Sequence, residues 1–196
     1  MANSILVSIN DVKDELDMKP TEDQLDDILQ DRINGIASHW EERTERQWES
    51  GERTEIFDGD AANNGKLFVK NVPITAVSGI WDDPDWAFPD SSKLATADIT
   101  YDAVRGIVYY KGSFNHAFQN IKVIYTAGYT APNVPKWLTL LLARQVAHWQ
   151  RQSAGDTAAV SSVSISAGGG TTSYKSLVDN LLPEFAKAIE EHRWSL

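Results

Sequence analysis

The sequence predicts an α+β protein: a small helical bundle with an antiparallel β insertion, a flexible Gly/Ser-rich arm and a C-terminal helix. Three observations carry this reading. Apolar residues recur at helical spacing before Gly51 and again after Pro135. Between them, over about 52–128, short alternating runs are separated by turn residues, the pattern of half-buried strands. These runs lie too close together for crossover helices, so they predict antiparallel meanders and not a parallel sheet.

The elements follow in order. Ser8 can cap a short helix, with Asp11 at the reach-back position and Val12 and Leu16 on one face. Pro20 breaks it. Thr21 is expected to cap a second helix, with Gln24 completing a capping box and Glu22 and Asp23 complementing its positive end. Leu25, Ile28, Leu29, Ile33, Ile36, Ala37 and Trp40 form its apolar stripe, opposite Asp26, Asp27, Asp31, Glu41 and Glu45. This helix is expected to reach about Trp48.

Residues 54–57, 66–69, 77–81, 99–101, 106–110 and 121–126 then read as strands, punctuated by turn-rich stretches at 58–65 and 71–73. Gly128, Pro132 and Pro135 end them. Trp137, Leu138, Leu141, Leu142, Gln145, Val146 and Trp149 restore the helical period as far as about Gln152. Leu140 and Ala143 widen that face, which predicts a helix buried on most sides or lying between subunits.

Residues 153–173 are almost wholly Ala, Gly, Ser, Thr and Val, ending in Gly168-Gly169-Gly170. A mobile arm is expected there, because such a stretch buries little apolar surface. The last helical region, 177–194, is interrupted at Pro183, which suits the first position of a new helix. The organisation is a bundle core over 1–152 with its β insertion at about 52–128, an arm at 153–173, and a docking helix at 174–196.

Composition narrows the function. The chain has 196 residues, no cysteine and a formal net charge of -10, which excludes disulfides, thiolate metal sites and cysteine nucleophiles. Residues 1–60 hold 17 acids and 6 bases, whereas the remainder is nearly balanced with 11 and 12. So acidic an N-terminal third repels phosphate backbones and argues against ordinary nucleic-acid binding. No apolar run approaches the roughly 18 residues of a membrane span, and residues 1–7 lack the features of a signal peptide. An intracellular, soluble protein is expected.

Catalytic signatures do not emerge. His39, His116, His148 and His192 are not spaced as metal ligands, which suggests structural or surface roles. Asp58, Asp60, Asn63 and Asn64 resemble a calcium loop only superficially, since Ala62 and Val69 stand where ligands belong. Asp82, Asp83 and Asp85 read as a solvated loop. Gly168-Gly169-Gly170-Thr171-Thr172-Ser173 lacks the lysine of a phosphate loop, and no Gly-x-Ser-x-Gly elbow is present. No metal or cofactor is expected.

The order of features resembles the tailed-phage head–tail connector, or adaptor, proteins over most of the chain. The resemblance rests on Arg53-Thr54-Glu55-Ile56-Phe57-Asp58-Gly59, then Leu67-Phe68-Val69 leading to Pro73-Ile74-Thr75-Ala76-Val77. It continues through Ile121-Lys122-Val123-Ile124-Tyr125-Thr126-Ala127-Gly128-Tyr129 and Val134-Pro135, where a helix opens that ends near Arg151. Val7-Ser8-Ile9-Asn10-Asp11-Val12-Lys13 and the terminal run over 182–193 also fit. The loop over 81–89 and the Gly-rich arm depart from the pattern.

The resemblance implies a structural virion protein without catalysis. Such adaptors assemble in the host cytoplasm and form a homo-oligomeric ring, typically a dodecamer, beneath the portal protein in the virion neck. The ring extends the DNA channel, lets DNA pass without specific binding, and docks the next neck or tail protein; no membrane is involved. On this reading Phe185, Ile189, Arg193 and Trp194 are portal-binding candidates. Asp23, Asp26, Asp27 and Asp31 are candidates for the channel wall, where negative charge keeps DNA from sticking. Trp137, Leu141 and Trp149 are candidates for subunit contacts, with bundle core as their alternative role.

Two other readings stand beside it. One is a different neck component, a head-closure or tail-completion protein. The other is a β-rich carbohydrate-binding or hydrolytic protein using Trp81, Trp86 and the neighbouring aspartates.

Overall fold

The computed structural model describes residues 3–59, 65–154, 160–166, 169–174 and 180–194. It is an α+β fold whose chain divides into two compact units, Met1–Glu45 with Ala131–Leu196, and Arg46–Thr130. The first holds the helices α1 (Ile9–Glu15), α2 (Asp26–Thr44), α3 (Lys136–Ala154) and α4 (Pro183–His192), with a hairpin of β7 (Val160–Ser166) and β8 (Gly169–Tyr174). The second holds β1 (Gly51–Phe57), β2 (Lys66–Phe68), β3 (Ile74–Asp82), β4 (Ile99–Asp102), β5 (Ile107–Tyr110) and β6 (Ile121–Ala127).

Local chemistry starts and stops the helices. At α1 the capping box forms as the sequence predicts. The Asp11 N–H donates to Ser8 Oγ at 3.3 Å and the Ser8 N–H donates to the Asp11 carboxylate at 2.9 Å. α2 departs from expectation at both ends. It begins at Asp26, because residues 19–22 close a turn in which the Glu22 N–H donates to Lys19 O and the Glu22 carboxylate accepts the Lys19 N–H. It ends at Thr44, where Glu45 turns left-handed at φ 56° and its N–H returns to the Glu41 and Glu42 carbonyls. Ile28, expected in the apolar stripe, is 47% exposed.

Lys13 holds α1 to the start of α2. Its side chain is buried, with Nζ 2.6 Å from Asp26 Oδ1 and 3.2 Å from Pro20 O. A buried ammonium without such partners costs several kcal/mol, so this pair fixes how the two helices meet.

α3 carries Leu138, Leu142, Ala143, Val146 and Ala147 into the core of the helical unit. Its buried Gln145 ties down the approach to α4. Gln145 Oε1 accepts the Leu182 N–H at 2.8 Å, and its Nε2 donates to Asn180 O at 3.2 Å. Pro183 takes the first position of α4, where its missing N–H costs nothing. Residues 180–182 are not helical, so the helix starts later than the apolar period suggests; 175–179 lie outside the described residues. Phe185 is buried against Trp40 (5.5 Å between ring centroids) and His39 (6.4 Å), and Ile189 is buried beside it.

The strand unit contains two three-stranded antiparallel sheets, ordered β1-β6-β3 and β2-β5-β4. Within this unit's described residues, β4 and β5 alone pair as sequence neighbours, so the meander expected from spacing is replaced by longer-range pairing. The reason is β6. It takes the centre of its sheet, so both of its edges are hydrogen-bonded, while its alternation buries Ile121, Val123, Tyr125 and Ala127 on one face. Leu67 and Val108 from the second sheet join the same core. Gly128 closes β6 at φ 100°, where a Cβ would lie 2.6 Å from Glu49 O.

Within that core Tyr125 hydroxyl donates to Glu55 and accepts from the Asn71 N–H and Nδ2, both at 3.2 Å. Burial, reinforced by Glu55, raises the tyrosine pKa, so the phenol stays neutral. In the stretch expected as an arm, β7 and β8 pair as a hairpin. Its Val163-Ser164-Ile165-Ser166 alternation is a strand signal inside a low-complexity composition, while 155–159 and 167–168 lie outside the described residues. No helix among the described residues is long and apolar enough to cross a membrane.

Two outcomes follow for stability. Phe185→Ala should lower unfolding free energy by about 3–5 kcal/mol, read by urea titration; a loss under about 1 kcal/mol would mean α4 is not part of the core. Burial, helped by Arg43 and opposed weakly by Glu42, holds His39 below its ordinary pKa. The unfolded chain therefore takes up a proton near pH ~6.5 that the folded chain resists. This contribution is complete above that pH and is lost as pH falls below it. Urea titrations from about pH 7.5 down to about pH 5.5 should show that decline, and His39→Gln should flatten it.

Candidate functional site

Among the described residues no group of three or more His, Cys, Asp or Glu could hold a metal ion. The candidate functional features are surfaces, and the structure sorts the sequence candidates among them.

The C-terminal end of α4 is built onto α2 and α3. His192 stacks on Trp137 at 4.8 Å and 14°, and lies 6.1 Å from Trp40. The Trp194 N–H donates to Thr44 O at 3.0 Å, satisfying a carbonyl left open at the end of α2. Arg193 donates from Nε and Nη2 to Glu45 Oε1 at 3.1 and 2.9 Å, an exposed pair of small energetic weight. Of the four portal-binding candidates, Phe185 and Ile189 therefore point inward and anchor the helix. Arg193 is exposed and Trp194 half-buried, so these two stand at the surface. A terminal truncation at Pro183 would remove core, not only a docking element.

The subunit-contact candidates also divide. Trp149 is buried, its Nε1 donating to Asn180 O at 3.2 Å, and Leu141 is half-buried. Trp137 and Leu140 are 44% and 42% exposed, and Leu140 borders a cleft of about 560 Å³ shared with Asp11, Asp14, Glu15 and Lys136. Among the channel-wall candidates, Asp26 is committed to Lys13, whereas Asp23, Asp27 and Asp31 are exposed. None of these three is ion-paired among the described residues.

A further surface, in the strand unit, was not marked by any motif. Trp81 is buried under two lysines, with Lys93 Nζ 4.8 Å and Lys122 Nζ 4.3 Å from its ring centroid. Lys122 Nζ also lies 4.8 Å from the Phe88 ring. The neighbouring acids face the loops instead. Asp58 accepts the Gln119 N–H, and Asp82 accepts the Asn115 N–H and Asn120 Nδ2, each at 2.7 Å. Asp83 accepts the N–H groups of Asp85 (3.1 Å) and Phe88 (2.6 Å). These bonds hold Trp86 and Phe88 at φ 60° and 48°, a conformation costing of order 1–3 kcal/mol per residue. The result is that Trp86 stands 60% exposed, its Nε1 donating to Phe118 O at 2.9 Å, beside Phe118 at 62% exposure. The Trp81–Trp86 platform that a saccharide would need does not form, because Trp81 is covered, and Asp82 and Asp83 are occupied by hydrogen bonds within the loops.

No curated protein matches the chain. In solved structures the same fold recurs in the neck of an empty GTA particle computed with C6 symmetry, at TM-score 0.58 and 14% identity, covering 100% of this chain and 94% of that one. It recurs in the virion of a native gene transfer agent (GTA) particle, at TM-score 0.59 and 13% identity over 100% and 94%. The neck of the native GTA particle computed with C12 symmetry aligns at TM-score 0.54 and 14% identity over 100% and 97%. At these identities the likeness is one of fold. The sequence itself matches the head completion protein model over residues 5–194, nearly its whole length, and the chain belongs to the head completion protein family.

Proposed function

We propose that this protein is a neck component that completes the head of a phage-like particle, standing there as a symmetric ring at the head–tail junction. As a head completion protein it is structural and not an enzyme. The observation that carries the reading is family membership over residues 5–194, in a chain whose whole length shares its fold with chains of GTA neck structures. This favours the neck-completion reading over a β-rich saccharide binder.

The finer role is that of an adaptor directly beneath the portal, extending the DNA channel and docking the next component. It is supported by the C12 symmetry of one similar neck structure, which matches the dodecamer that the connector resemblance implies. Physically, a ring needs two different patches on each copy, meeting at a fixed rotation. The surfaces suited to the portal are the exposed Trp137 and Leu140 with Arg193 and the half-buried Trp194, since aromatic and arginine side chains dominate such contacts. Phe185 and Ile189 support that surface from within.

The test is native mass spectrometry of the purified protein alone, with isolated portal, and with heads that lack it. A single high-order mass, or saturable binding to heads, is expected. Binding to isolated portal at ring stoichiometry supports the adaptor role, and binding to heads alone supports another neck position. A monomer that ignores both portal and heads overturns the proposal. Trp194→Ala with Arg193→Ala, which leaves Phe185 in place, should weaken portal binding about tenfold or more without unfolding the chain.

A further inference from the structure

We propose that the lysine–aromatic face of the strand unit receives the acidic stripe of α2 from a second copy of this chain. The inference rests on the ring reading above and names the contact that would build it.

The receiving face carries positive charge without a carboxylate to meet it. Lys93 and Lys122 approach the Trp81 ring, yet neither is ion-paired among the described residues, because Asp58, Asp82 and Asp83 are turned toward backbone N–H groups. The Trp81 Nε1–H is buried and has no acceptor among the described residues. Three donors therefore gather where no acceptor is supplied by their own surroundings. Trp86 and Phe118 add an exposed aromatic border.

α2 carries the complement. Asp27 and Asp31, four apart in the helix, line one side, and Asp23 stands in the turn just before it. All three are exposed and none is ion-paired among the described residues. Ile28, 47% exposed, sits among them as an apolar residue with no place in the core. Acids can thus meet Lys93 and Lys122 while Ile28 meets Trp86 or Phe118. The acidic stripe and the cationic face are different patches, so the contact is heterologous, the kind that generates a ring when its rotation closes. Like charges within each patch also oppose a face-to-face pairing of two identical patches, which steers association toward head-to-tail order. The sequence alone offers these acids the channel wall; the cationic face gives them a partner.

Charge reversal tests it in the full-length protein, under the conditions or on the heads where the unaltered chain forms its ring. Lys93→Glu with Lys122→Glu, and separately Asp27→Lys with Asp31→Lys, should each reduce ring at fixed concentration by about tenfold or more. Each variant should keep the circular dichroism of the parent and stay folded at the assay temperature, the lysine pair losing some melting temperature with its two contacts to Trp81. Mixing the two variants places one intact and one doubly reversed interface between copies. The chain carrying all four substitutions should regain ring formation to within about threefold of the parent. Rings unaffected by either reversal overturn this contact, leave the neck reading intact and return the acids to the channel wall. Failure of the fourfold chain to recover, with its fold preserved, also overturns it. An unaltered chain that forms no ring and binds no heads removes the neck reading, and this inference with it.

Discussion

Everything in the helical unit depends on two stretches of chain, before residue 46 and after residue 130, finding each other. α3 packs on α1 and α2, and an aromatic set carries α4 onto α2: Trp40 and His39 enclose Phe185, and His192, stacked on Trp137, lies against Trp40. α4 is too short to be stable alone, so its helicity comes from packing. Remove that packing and the Trp194 and Arg193 contacts at the end of α2 lose their geometry. The surface that Arg193 and Trp194 form and the core beneath it are therefore one construction, and truncation of α4 removes both.

The polar interior obeys the same economy of partners. Lys13 is tolerated in the core because Asp26 and Pro20 O meet its ammonium, and Gln145 is tolerated because both ends of its amide are used by residues 180–182. In the strand unit, Tyr125, Glu55 and Asn71 satisfy one another across β6, β1 and the segment after β2. The loop aspartates go further. By capping backbone N–H groups they hold two non-glycine residues in left-handed conformations and leave Lys93 and Lys122 facing aromatic rings. Structural satisfaction of the acids is what exposes the positive charge.

This organisation suits an assembly protein. Its chemistry lies in exposed aromatics and in local charge, the acids of α2 and the Lys93–Lys122 pair at Trp81, and not in converging catalytic groups. Affinity in such interfaces comes from a few anchors, and specificity and encounter rate come from charge.

The sequence by itself determined whatever is local. The Ser8–Asp11 capping box, the six strands, Pro183 at the start of α4 and the α+β class are all readable, because caps, turns and periodicity act within a few residues. The order of those features also sufficed to bring phage neck proteins into view. Only the tertiary structure decided the rest. It placed Lys13 and Phe185 inside, Ile28 and Trp86 outside, β1 and β3 on either side of β6, and covered Trp81 but not Trp86. A period names the apolar side of an element, whereas burial requires a partner from elsewhere in the chain. That partner, an Asp26 for Lys13 or a Trp40 for Phe185, is fixed by long-range packing that no local pattern records.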